Sequence, residues 1–290
     1  MTPLDVLCAT GTSYFGPPEL PYVPGVQGVG VVVSSTVHPA GTRVWFPTGA
    51  GMAPGDGSLA EAALVPEDRM VVVREDVEDT LVAALGLSAV AAWMALTWRA
   101  SLQPDEQVLV LGAGGVVGQV AVQASRLLGA RRVVAACRSD AAREHALDSG
   151  ADAVVELRDG DTVELLAKRL AGACDGDVDV VVDPLCGVPA SAALELLAPG
   201  GRLVNLGSSA GPTATFSSAA LRSRSASILG YTNNALTFEQ QEKALSQLLG
   251  YAAAGELTVA HECVCLDDLP EAWRRQVAGE TQGRVVVTLP

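Results

Sequence analysis

The sequence is poor in positive charge. Lysine and arginine together number 19 against 33 aspartates and glutamates, which gives a formal net charge of −14 at pH 7. A field of that sign repels nucleic acids and anionic membranes unless a local basic patch overrides it, and the sequence contains no basic run. Nucleic acid and membrane are therefore excluded as expected partners.

The sequence also lacks a recognisable secretory leader. Its first residues, "MTPLDVLCATG", contain neither the basic nor the apolar region of a signal peptide, so we expect a cytoplasmic protein. Residues 81–98 carry no charge and reach the lower length limit for crossing a bilayer. Because alanine dominates this stretch and Gly86 and Ser88 interrupt it, we predict a buried helix there.

Cysteine is sparse, with six residues in a chain of 290, long enough to fold without disulfides. We expect reduced thiols at Cys8, Cys137, Cys174, Cys186, Cys263 and Cys265. In "HECVC", His261, Cys263 and Cys265 alternate and would share one face of a strand. A soft-metal site and an ordinary half-buried strand are both open, but ligands arranged along a line favour the strand.

The rest of the composition describes a globular protein of two domains. Nearly half of the residues, 49%, are hydrophobic and only 18% are charged, which excludes a disordered or coiled-coil chain. A chain of 290 residues exceeds what one core usually holds. We therefore expect two compact domains.

From residue 107 the sequence alternates regularly between strands and helices. Near-continuous Val, Ile and Leu runs mark strands that are covered on both faces. Helices are expected from Gly115 to Leu128, after Ser139, and from Asp161. The six predicted strands are "QVLVL", "RVVAA", "DAVVEL", "VDVVVD", "GRLVNLG" and "SASILGY". This pattern predicts an α/β fold, a doubly wound parallel sheet of the Rossmann type, within residues 89–255.

The flanking regions have a different texture. Residues 1–88 alternate short apolar runs with Pro and Gly turns, which predicts an antiparallel β domain. A helix from Phe238 to Ala253 is expected after the sheet, with Thr237 and Gln240 forming a capping box. The tail, residues 256–290, reads as two strands around a short helix near Glu271, so we expect it to complete the first domain.

The join "VLVLGAGGVVGQVAVQ", residues 108–123, runs from a strand through a glycine loop into a helix. Glycine at these places permits a tight turn, close approach of the backbone to a pyrophosphate at the helix N-terminus, and close packing of helix on strand. The loop predicts a dinucleotide cofactor. The residues expected to contact it here are Gly112, Ala113, Gly115, Val116, Val117 and Gly118.

The residues at the end of the second strand of the sheet indicate which cofactor, NAD or NADPH, is expected to bind. NAD sites usually carry an acidic residue there, which accepts a hydrogen bond from the ribose 2′-hydroxyl. This sequence has Cys137 at that position, followed by Arg138 and Ser139, and an arginine suits a 2′-phosphate. We predict NADPH. The alternative is that Asp140 binds the ribose and Arg138 is a solvated charge.

Motifs spread over the whole chain resemble the zinc-independent quinone oxidoreductases, the zeta-crystallin-like proteins of the medium-chain dehydrogenase/reductase superfamily. They include "LPYVPGVQGVGVV", "GSLAEAALVPED", "LGLSAVAAWMAL" and "APGGRLVNLGSS". The resemblance implies a GroES-like fold for the β domain. It also implies that about 30 residues of that domain precede the "TPLDVLCATG" segment in the family, so we expect an incomplete β domain.

The resemblance also bears on whether the protein binds a metal ion. The zinc-dependent relatives have cysteine, histidine and glutamate ligands at four places where this chain has other residues, none of which is an expected zinc ligand. Those places hold Thr2, Val26, Gln27 and Leu85. We therefore expect no metal.

The same resemblance assigns further site residues. Near the nicotinamide it places Gly207, Ser208, Tyr231 and Asn233, with Arg284 closing from the last strand. For substrate binding it suggests Tyr14, Phe15 and Trp45. Thr2 is the candidate catalytic residue, although many relatives have asparagine there.

Together these features predict an NADPH-dependent enzyme that transfers hydride to a quinone or an α,β-unsaturated carbonyl without metal. The alternatives are an enoyl-thioester reductase, an alcohol dehydrogenase acting on a specialised metabolite, and a non-catalytic NADPH-binding protein. A short-chain dehydrogenase is disfavoured because no tyrosine has lysine four residues on. The resemblance further implies a homodimer, paired through the edge strand "SASILGY".

Overall fold

The computed structural model describes residues 1–281 and 283–289. The chain divides into two compact units, one formed by Met1–Leu87 with Phe238–Pro290 and the other by Ser88–Thr237. The division after Leu87 lies one residue before the predicted domain boundary. The helix that begins at Phe238 groups with the first unit, whereas the sequence pattern predicts residues 238–255 to be part of the second domain.

The helices and strands are numbered in chain order. They are α1 (Pro3–Ala9), β1 (Gln27–Val31), β2 (Arg43–Pro47), β3 (Val71–Val72), α2 (Asp79–Met94), β4 (Gln107–Leu111), α3 (Val116–Leu127), β5 (Arg132–Cys137), α4 (Asp140–Asp148), β6 (Ala153–Glu156), α5 (Val163–Ala173), β7 (Val178–Asp183), α6 (Gly187–Leu194), β8 (Leu197–Asn205), α7 (Ser218–Arg224), β9 (Ser227–Gly230), α8 (Phe238–Ala253), β10 (His261–Cys265), α9 (Leu269–Ala278) and β11 (Arg284–Thr288).

The first unit contains a three-stranded antiparallel sheet in the order β1-β2-β3, as the alternation of apolar runs and turns predicts. Val32, Val44 and Phe46 form its small core. Gly28 makes room for this core, because a Cβ atom there would lie 2.7 Å from the Phe46 ring. Gly28 thus allows an aromatic ring to pack directly against the strand.

The tail of the first unit contains a second sheet, in which β10 and β11 run parallel. His261 is half-buried on β10 and its Nδ1 lies 3.0 Å from the carbonyl oxygen of Val259, while Cys263 and Cys265 are exposed. Among the described residues, no group of three or more His, Cys, Asp and Glu side chains is placed to hold a metal. The "HECVC" segment forms the predicted strand, with each of its residues half-buried or exposed.

The apolar stretch around residues 81–98 is helical, as predicted. The helix from Asp79 to Arg99 has 21 residues and a mean hydropathy of 1.8, so it is long and apolar enough to cross a bilayer by length and composition alone. However, 67% of its most apolar window is buried within the protein. Such burial is typical of a core helix.

The second unit is built on a six-stranded, all-parallel sheet in the order β6-β5-β4-β7-β8-β9, which confirms the predicted Rossmann fold. Its strands are lined by fully buried side chains such as Leu109, Val134 and Val181. The strand order reverses between β4 and β7. Ligands of open α/β sheets bind at such switch points, beyond the carboxyl ends of the strands.

The predicted helices of this unit lie close to where the structure places them. Ser139 caps α4 and accepts a hydrogen bond from the Ala142 N–H. The helix expected from Asp161 begins two residues later, at Val163, with Thr162 as its N-cap. Asp161 instead belongs to the preceding turn, where its carboxylate accepts hydrogen bonds from the Arg158 N–H and the Arg169 guanidinium.

Candidate cofactor-binding site

The glycine loop joins β4 to α3 at the switch point of the sheet. Gly112 adopts a φ of +67°, which an L side chain rarely tolerates. The Ala113 N–H donates to the Ala136 carbonyl at 3.0 Å, and the Gly115 N–H donates to the Gly112 carbonyl at 3.1 Å. These bonds fold the loop back on itself and fix it against β5.

Two glycines of the loop have different reasons to be glycine. A Cβ atom at Gly118 would lie 2.4 Å from the Gly112 oxygen and 2.5 Å from the Ala113 Cα, so helix and loop touch there. At Gly115, which is exposed, the nearest atom to such a Cβ would be the Gly112 oxygen at 3.7 Å. Gly118 is therefore required by packing, whereas Gly115 keeps backbone open to solvent.

The first turn of α3 presents free hydrogen-bond donors. Gly115 is the N-cap and has no side chain with which to satisfy the N–H groups of that turn. Over residues 1–281 and 283–289, the N–H groups of Val116, Val117 and Gly118 have no hydrogen-bond acceptor. Such donors, at the positive end of a helix dipole, bind phosphate. The cradle fits the pyrophosphate of a dinucleotide.

The carboxyl end of β5 lies beside the loop and provides no acid for a ribose hydroxyl. Cys137 is buried, and burial raises the pKa of its thiol to about 11, so the side chain stays neutral. Arg138 is exposed, and within the described part of the chain its guanidinium has no ion-pair partner. Asp140, the alternative ribose ligand, pairs with Arg143.

A buried carboxylate occupies the other side of the switch point. Asp183 ends β7, and its Oδ1 accepts hydrogen bonds from the N–H groups of Leu185 and Cys186 at 3.0 and 2.8 Å. Asn205, which ends β8, donates from Nδ2 to Asp183 Oδ2 at 2.8 Å and to the Gly207 carbonyl at 2.9 Å. Burial raises the pKa of Asp183 despite these bonds. The pair fixes the loops that follow β7 and β8.

The residues expected near the nicotinamide gather at the same edge of the sheet. Gly207 follows β8, and a Cβ there would lie 2.5 Å from the Pro184 oxygen. The Tyr231 hydroxyl donates to Asn233 Oδ1 at 2.6 Å, and burial raises the pKa of Tyr231. Ser208 is exposed in the loop after β8. The structure thus brings four predicted residues to the carboxyl ends of β8 and β9.

Sequence reasoning missed Asp183 and Asn205. A signal was present, because Asp183 is the polar last residue of the predicted strand "VDVVVD" and Asn205 is a polar residue near the end of the predicted strand "GRLVNLG". Polar side chains at the carboxyl ends of neighbouring parallel strands meet at one edge of the sheet. The sequence did not show that β7 and β8 are neighbours.

Cys186 adopts an unusual backbone conformation beside this pair. Its φ of 57° and ψ of −152° lie in a region that is essentially restricted to glycine. Such strain costs on the order of 1–3 kcal/mol, and part of any gain from glycine is lost to the greater entropy of the unfolded chain. The backbone is therefore strained at Cys186, at the start of α6.

Cys186→Gly should raise the free energy of unfolding by about 1 kcal/mol, because it relieves the strain. For a chain of this size the gain corresponds to a rise in Tm of about 2–4 °C in a circular dichroism melt. Cys186→Ala is the control, since it removes the thiol but keeps the Cβ. An equal rise for alanine would show that the thiol, not the backbone, is responsible.

In the first unit, Thr2 acts as a helix cap. Its hydroxyl accepts from the Asp5 N–H at 3.3 Å and donates to Asp5 Oδ2 at 2.9 Å, and its own N–H donates to Asp5 Oδ2 at 2.6 Å, which completes a capping box at the start of α1. Asp5 Oδ1 also accepts from the N–H groups of Gly25 and Val26 at 3.1 and 2.9 Å. The hydroxyl predicted to be catalytic is engaged in capping α1.

The four places where the zinc-dependent relatives carry ligands do not fit a metal here. Val26 and Leu85 are buried apolar side chains. Gln27 donates from Nε2 to the Ala83 carbonyl at 2.8 Å and accepts at Oε1 from the Leu87 N–H at 2.6 Å. Its amide therefore bridges a break in α2 at Gly86, where φ is 34° and ψ is −134°.

The remaining predicted residues of the first unit are divided between core and surface. Arg284 is buried on β11 and donates to the carbonyls of Ala84 and Met1, at 3.3 and 3.0 Å. Tyr14 and Phe15 are exposed, with ring centroids 4.4 Å apart. Trp45, suggested for substrate binding, is completely buried in β2 and packs in the interior instead.

Comparisons with known proteins place this geometry in a family. The model of the zinc-binding dehydrogenase family matches residues 116–250. Quinone oxidoreductase-like protein 2 of Bos taurus is 30% identical over 294 residues, covering 98% of this chain and 81% of that protein. A phenolphthiocerol/phthiocerol polyketide synthase of Mycobacterium tuberculosis is 30% identical over 241 residues, or 81% of this chain. The chain spans 11% of the length of that synthase polypeptide.

Solved structures share the fold. An NAD-dependent alcohol dehydrogenase is 26% identical, with a TM-score of 0.84 over 100% of this chain and 89% of its own. A mycobacterial protein in complex with NADPH is 24% identical, with a TM-score of 0.84 over 99% of this chain and 87% of its own. The second unit has the Rossmann fold. The chain belongs to the quinone oxidoreductase-like family of the medium-chain dehydrogenase/reductase superfamily.

Proposed function

We propose that the protein is a cytoplasmic NADPH-dependent oxidoreductase that transfers hydride to a quinone or an α,β-unsaturated carbonyl without a metal. The observation that carries the proposal is the glycine loop: among residues 1–281 and 283–289, the N–H groups at the start of α3 have no acceptor and the nearby Arg138 guanidinium has no ion-pair partner. Pyrophosphate, ribose phosphate and nicotinamide would each meet a different part of one sheet edge.

The cofactor assignment rests on charge. At the end of β5 a neutral thiol, Cys137, stands where NAD sites carry an acid, and Arg138 follows with its guanidinium exposed. A guanidinium forms charge-assisted hydrogen bonds with phosphate. NADPH, which carries a 2′-phosphate, therefore suits this end of the strand better than NADH.

The chain's own residues would bind the cofactor, orient it and shield it from water. The first turn of α3 holds the pyrophosphate, and Arg138 and Ser139 hold the ribose phosphate. Tyr231 and Asn233, joined by a hydrogen bond of 2.6 Å, and the loop at Gly207 and Ser208 line the nicotinamide side. The bound cofactor supplies the hydride.

The choice of acceptor follows from the side chains at the metal-ligand positions. In the zinc-dependent relatives, a Lewis acid would polarise the carbonyl before reduction. Here the corresponding positions hold a helix cap, two buried apolar side chains and an amide that bridges α2. Quinones and conjugated carbonyls are already electrophilic, so hydrogen bonding alone can assist their reduction.

Stopped-flow measurement of NADPH oxidation tests this proposal. The purified chain is mixed with a panel of quinones, enones, enoyl thioesters and aldehydes, each with and without a strong chelator. We expect turnover with quinones or enones that the chelator does not change. Turnover confined to aldehydes, or lost with the chelator, would contradict the proposal. NADPH binding without any turnover would leave only a cofactor-binding protein.

Reduction of an enoyl thioester is the second candidate. It is favoured by the similarity of 81% of this chain to part of a polyketide synthase. The same hydride would then reach a carbon–carbon double bond conjugated to a thioester carbonyl. The enoyl-thioester arm of the panel separates the two candidates.

We also propose a homodimer. β9 is the last strand of the sheet and pairs on one side only, with β8, and its Ile228 is 42% exposed. Exposed apolar edges pair readily with another strand. Light scattering should give twice the chain mass, and Ile228→Pro should give monomers because proline disrupts edge pairing. Ile228→Val is the control. A monomeric unmodified chain would contradict this proposal.

A further inference from the structure

A polar side chain of α3 reaches back to the glycine loop. Gln119 is only 3% exposed, and its Nε2 donates to the Gly114 carbonyl at 2.9 Å. Its Oε1 lies 3.1 Å from Nε2 of His145, which projects from α4. The side chains of two helices thus meet behind the loop that binds phosphate.

The directions of these hydrogen bonds are fixed by chemistry. A carbonyl oxygen only accepts, so the amide nitrogen of Gln119 must face Gly114. The amide oxygen is then left for His145, whose Nε2 must carry a proton and donate. His145 therefore orients the Gln119 amide, and the Gln119 amide is hydrogen-bonded to the glycine loop at Gly114.

This contact immobilises one peptide unit of the loop. The Gly114 carbonyl is bound by Gln119, while the N–H of the same peptide, that of Gly115, donates to the Gly112 oxygen at 3.1 Å. Both polar ends of the peptide between Gly114 and Gly115 are therefore tied. Glycine loses more conformational freedom on ordering than any other residue, so a loop with three glycines benefits most from being held before ligand arrives.

α4 also contacts the loop directly. A Cβ atom at Gly114 would lie 2.9 Å from the Cβ of Ala142 on α4. The same helix begins at Asp140, immediately after Arg138 and Ser139. The group that supports the pyrophosphate loop and the group proposed to hold the 2′-phosphate therefore lie on one short segment, residues 138–145.

We propose that Gln119 and His145 are positioning residues that hold the glycine loop in its cofactor-binding conformation. The proposal rests on the proposed function, because it assigns these residues to the pyrophosphate half of an NADPH site. They act through the Gly114 carbonyl and do not touch the cofactor. Loss of the contact should weaken ligands that carry a pyrophosphate and spare those that lack one.

Gln119→Leu tests the proposal against a matched control. Gln123 lies one turn further along α3, is 8% exposed and donates from Nε2 to the Gln119 main-chain carbonyl at 3.0 Å, so Gln123→Leu makes the same change away from the loop. Titration calorimetry should show NADPH affinity about five- to tenfold lower for Gln119→Leu, the order of one lost hydrogen bond, and unchanged for Gln123→Leu. Binding of 2′-AMP, which lacks a pyrophosphate, should be unchanged in both.

Variants of His145 test the same contact without changing a buried side chain, because His145 is half-buried whereas Gln119 is buried. His145→Gln retains an N–H donor and should bind NADPH as the unmodified chain does, whereas His145→Leu should lose affinity about as Gln119→Leu does. The double variant should lose no more than either single one, since both remove the same support. Equal losses for Gln119→Leu and Gln123→Leu, or additive losses, would overturn the proposal. If the unmodified chain binds no NADPH, the proposed function itself is wrong.

Discussion

Gly118→Ala should lower the stability of the second unit by about 3 kcal/mol or more and abolish NADPH binding. The added Cβ would lie 2.4 Å from the Gly112 oxygen and 2.5 Å from the Ala113 Cα. Both neighbours are backbone atoms, so no rotation of a side chain can relieve the contact, and overpacking of this kind typically costs about 1–3 kcal/mol or more. A circular dichroism melt should show Tm lower by about 6–12 °C.

Gly115→Ala is the variant to compare with Gly118→Ala. Its Cβ would make only an ordinary contact, at 3.7 Å, and its φ of −82° suits any residue. Stability should fall by no more than about 1 kcal/mol, because alanine is a poorer N-cap than glycine, while NADPH affinity falls at least tenfold because a methyl group stands where backbone approaches the pyrophosphate. Gly172→Ala is the control, since no atom lies within 4 Å of its Cβ position. Normal NADPH binding by Gly115→Ala would show that the phosphate lies elsewhere.

Arg138→Ala should change the choice of cofactor. A charge-assisted hydrogen bond contributes about 1.5–3 kcal/mol, so NADPH affinity should fall at least tenfold while NADH affinity barely changes. The measurement is a fluorescence titration with each cofactor in low salt, since the interaction is screened by ions. Arg158→Ala makes the same charge change at the end of β6, where Arg158 pairs with Glu156, and should leave both affinities unaltered.

Two outcomes of this experiment would contradict the assignment. Equal losses of NADPH and NADH, or no loss, would show that Arg138 does not bind a 2′-phosphate. The alternative, in which Asp140 binds the ribose hydroxyls, requires that Asp140→Asn weaken NADH. In the structure, however, that carboxylate pairs with Arg143.

The second unit could be predicted well because its signals are local. Runs such as "QVLVL" and "VDVVVD" form strands that are buried on both faces, and periodicity reveals them without any knowledge of their neighbours. The glycine loop is equally local, since strand, turn and helix follow one another in sequence. The predicted helix start at Asp161 is wrong by two residues because Thr162 is the N-cap of α5, while the Asp161 carboxylate belongs to the preceding turn, where it is bound by the Arg158 N–H and by Arg169.

The parts that depend on distant neighbours were less predictable. The pairing of Asp183 with Asn205 exists only because β7 and β8 are adjacent. Family resemblance suggests Trp45 for substrate binding, and only the structure shows that its ring is fully buried. Thr2 is a different case, because its use as a cap depends on Asp5, only three residues on, and this local capping pattern was present in the sequence.

The amide of Gln27 also constrains how this fold can change its chemistry. It stands between the Ala83 carbonyl and the Leu87 N–H, the two groups that an unbroken helix would join directly, and so replaces a missing main-chain hydrogen bond. A shorter or charged side chain at this position would leave a half-buried donor or acceptor unsatisfied. Grafting metal ligands onto this scaffold is therefore not a matter of exchanging side chains, because α2 would first have to be rebuilt as a continuous helix. Conversion between metal-dependent and metal-free chemistry then requires coordinated substitutions in two separate segments of the chain. A single substitution would not be sufficient.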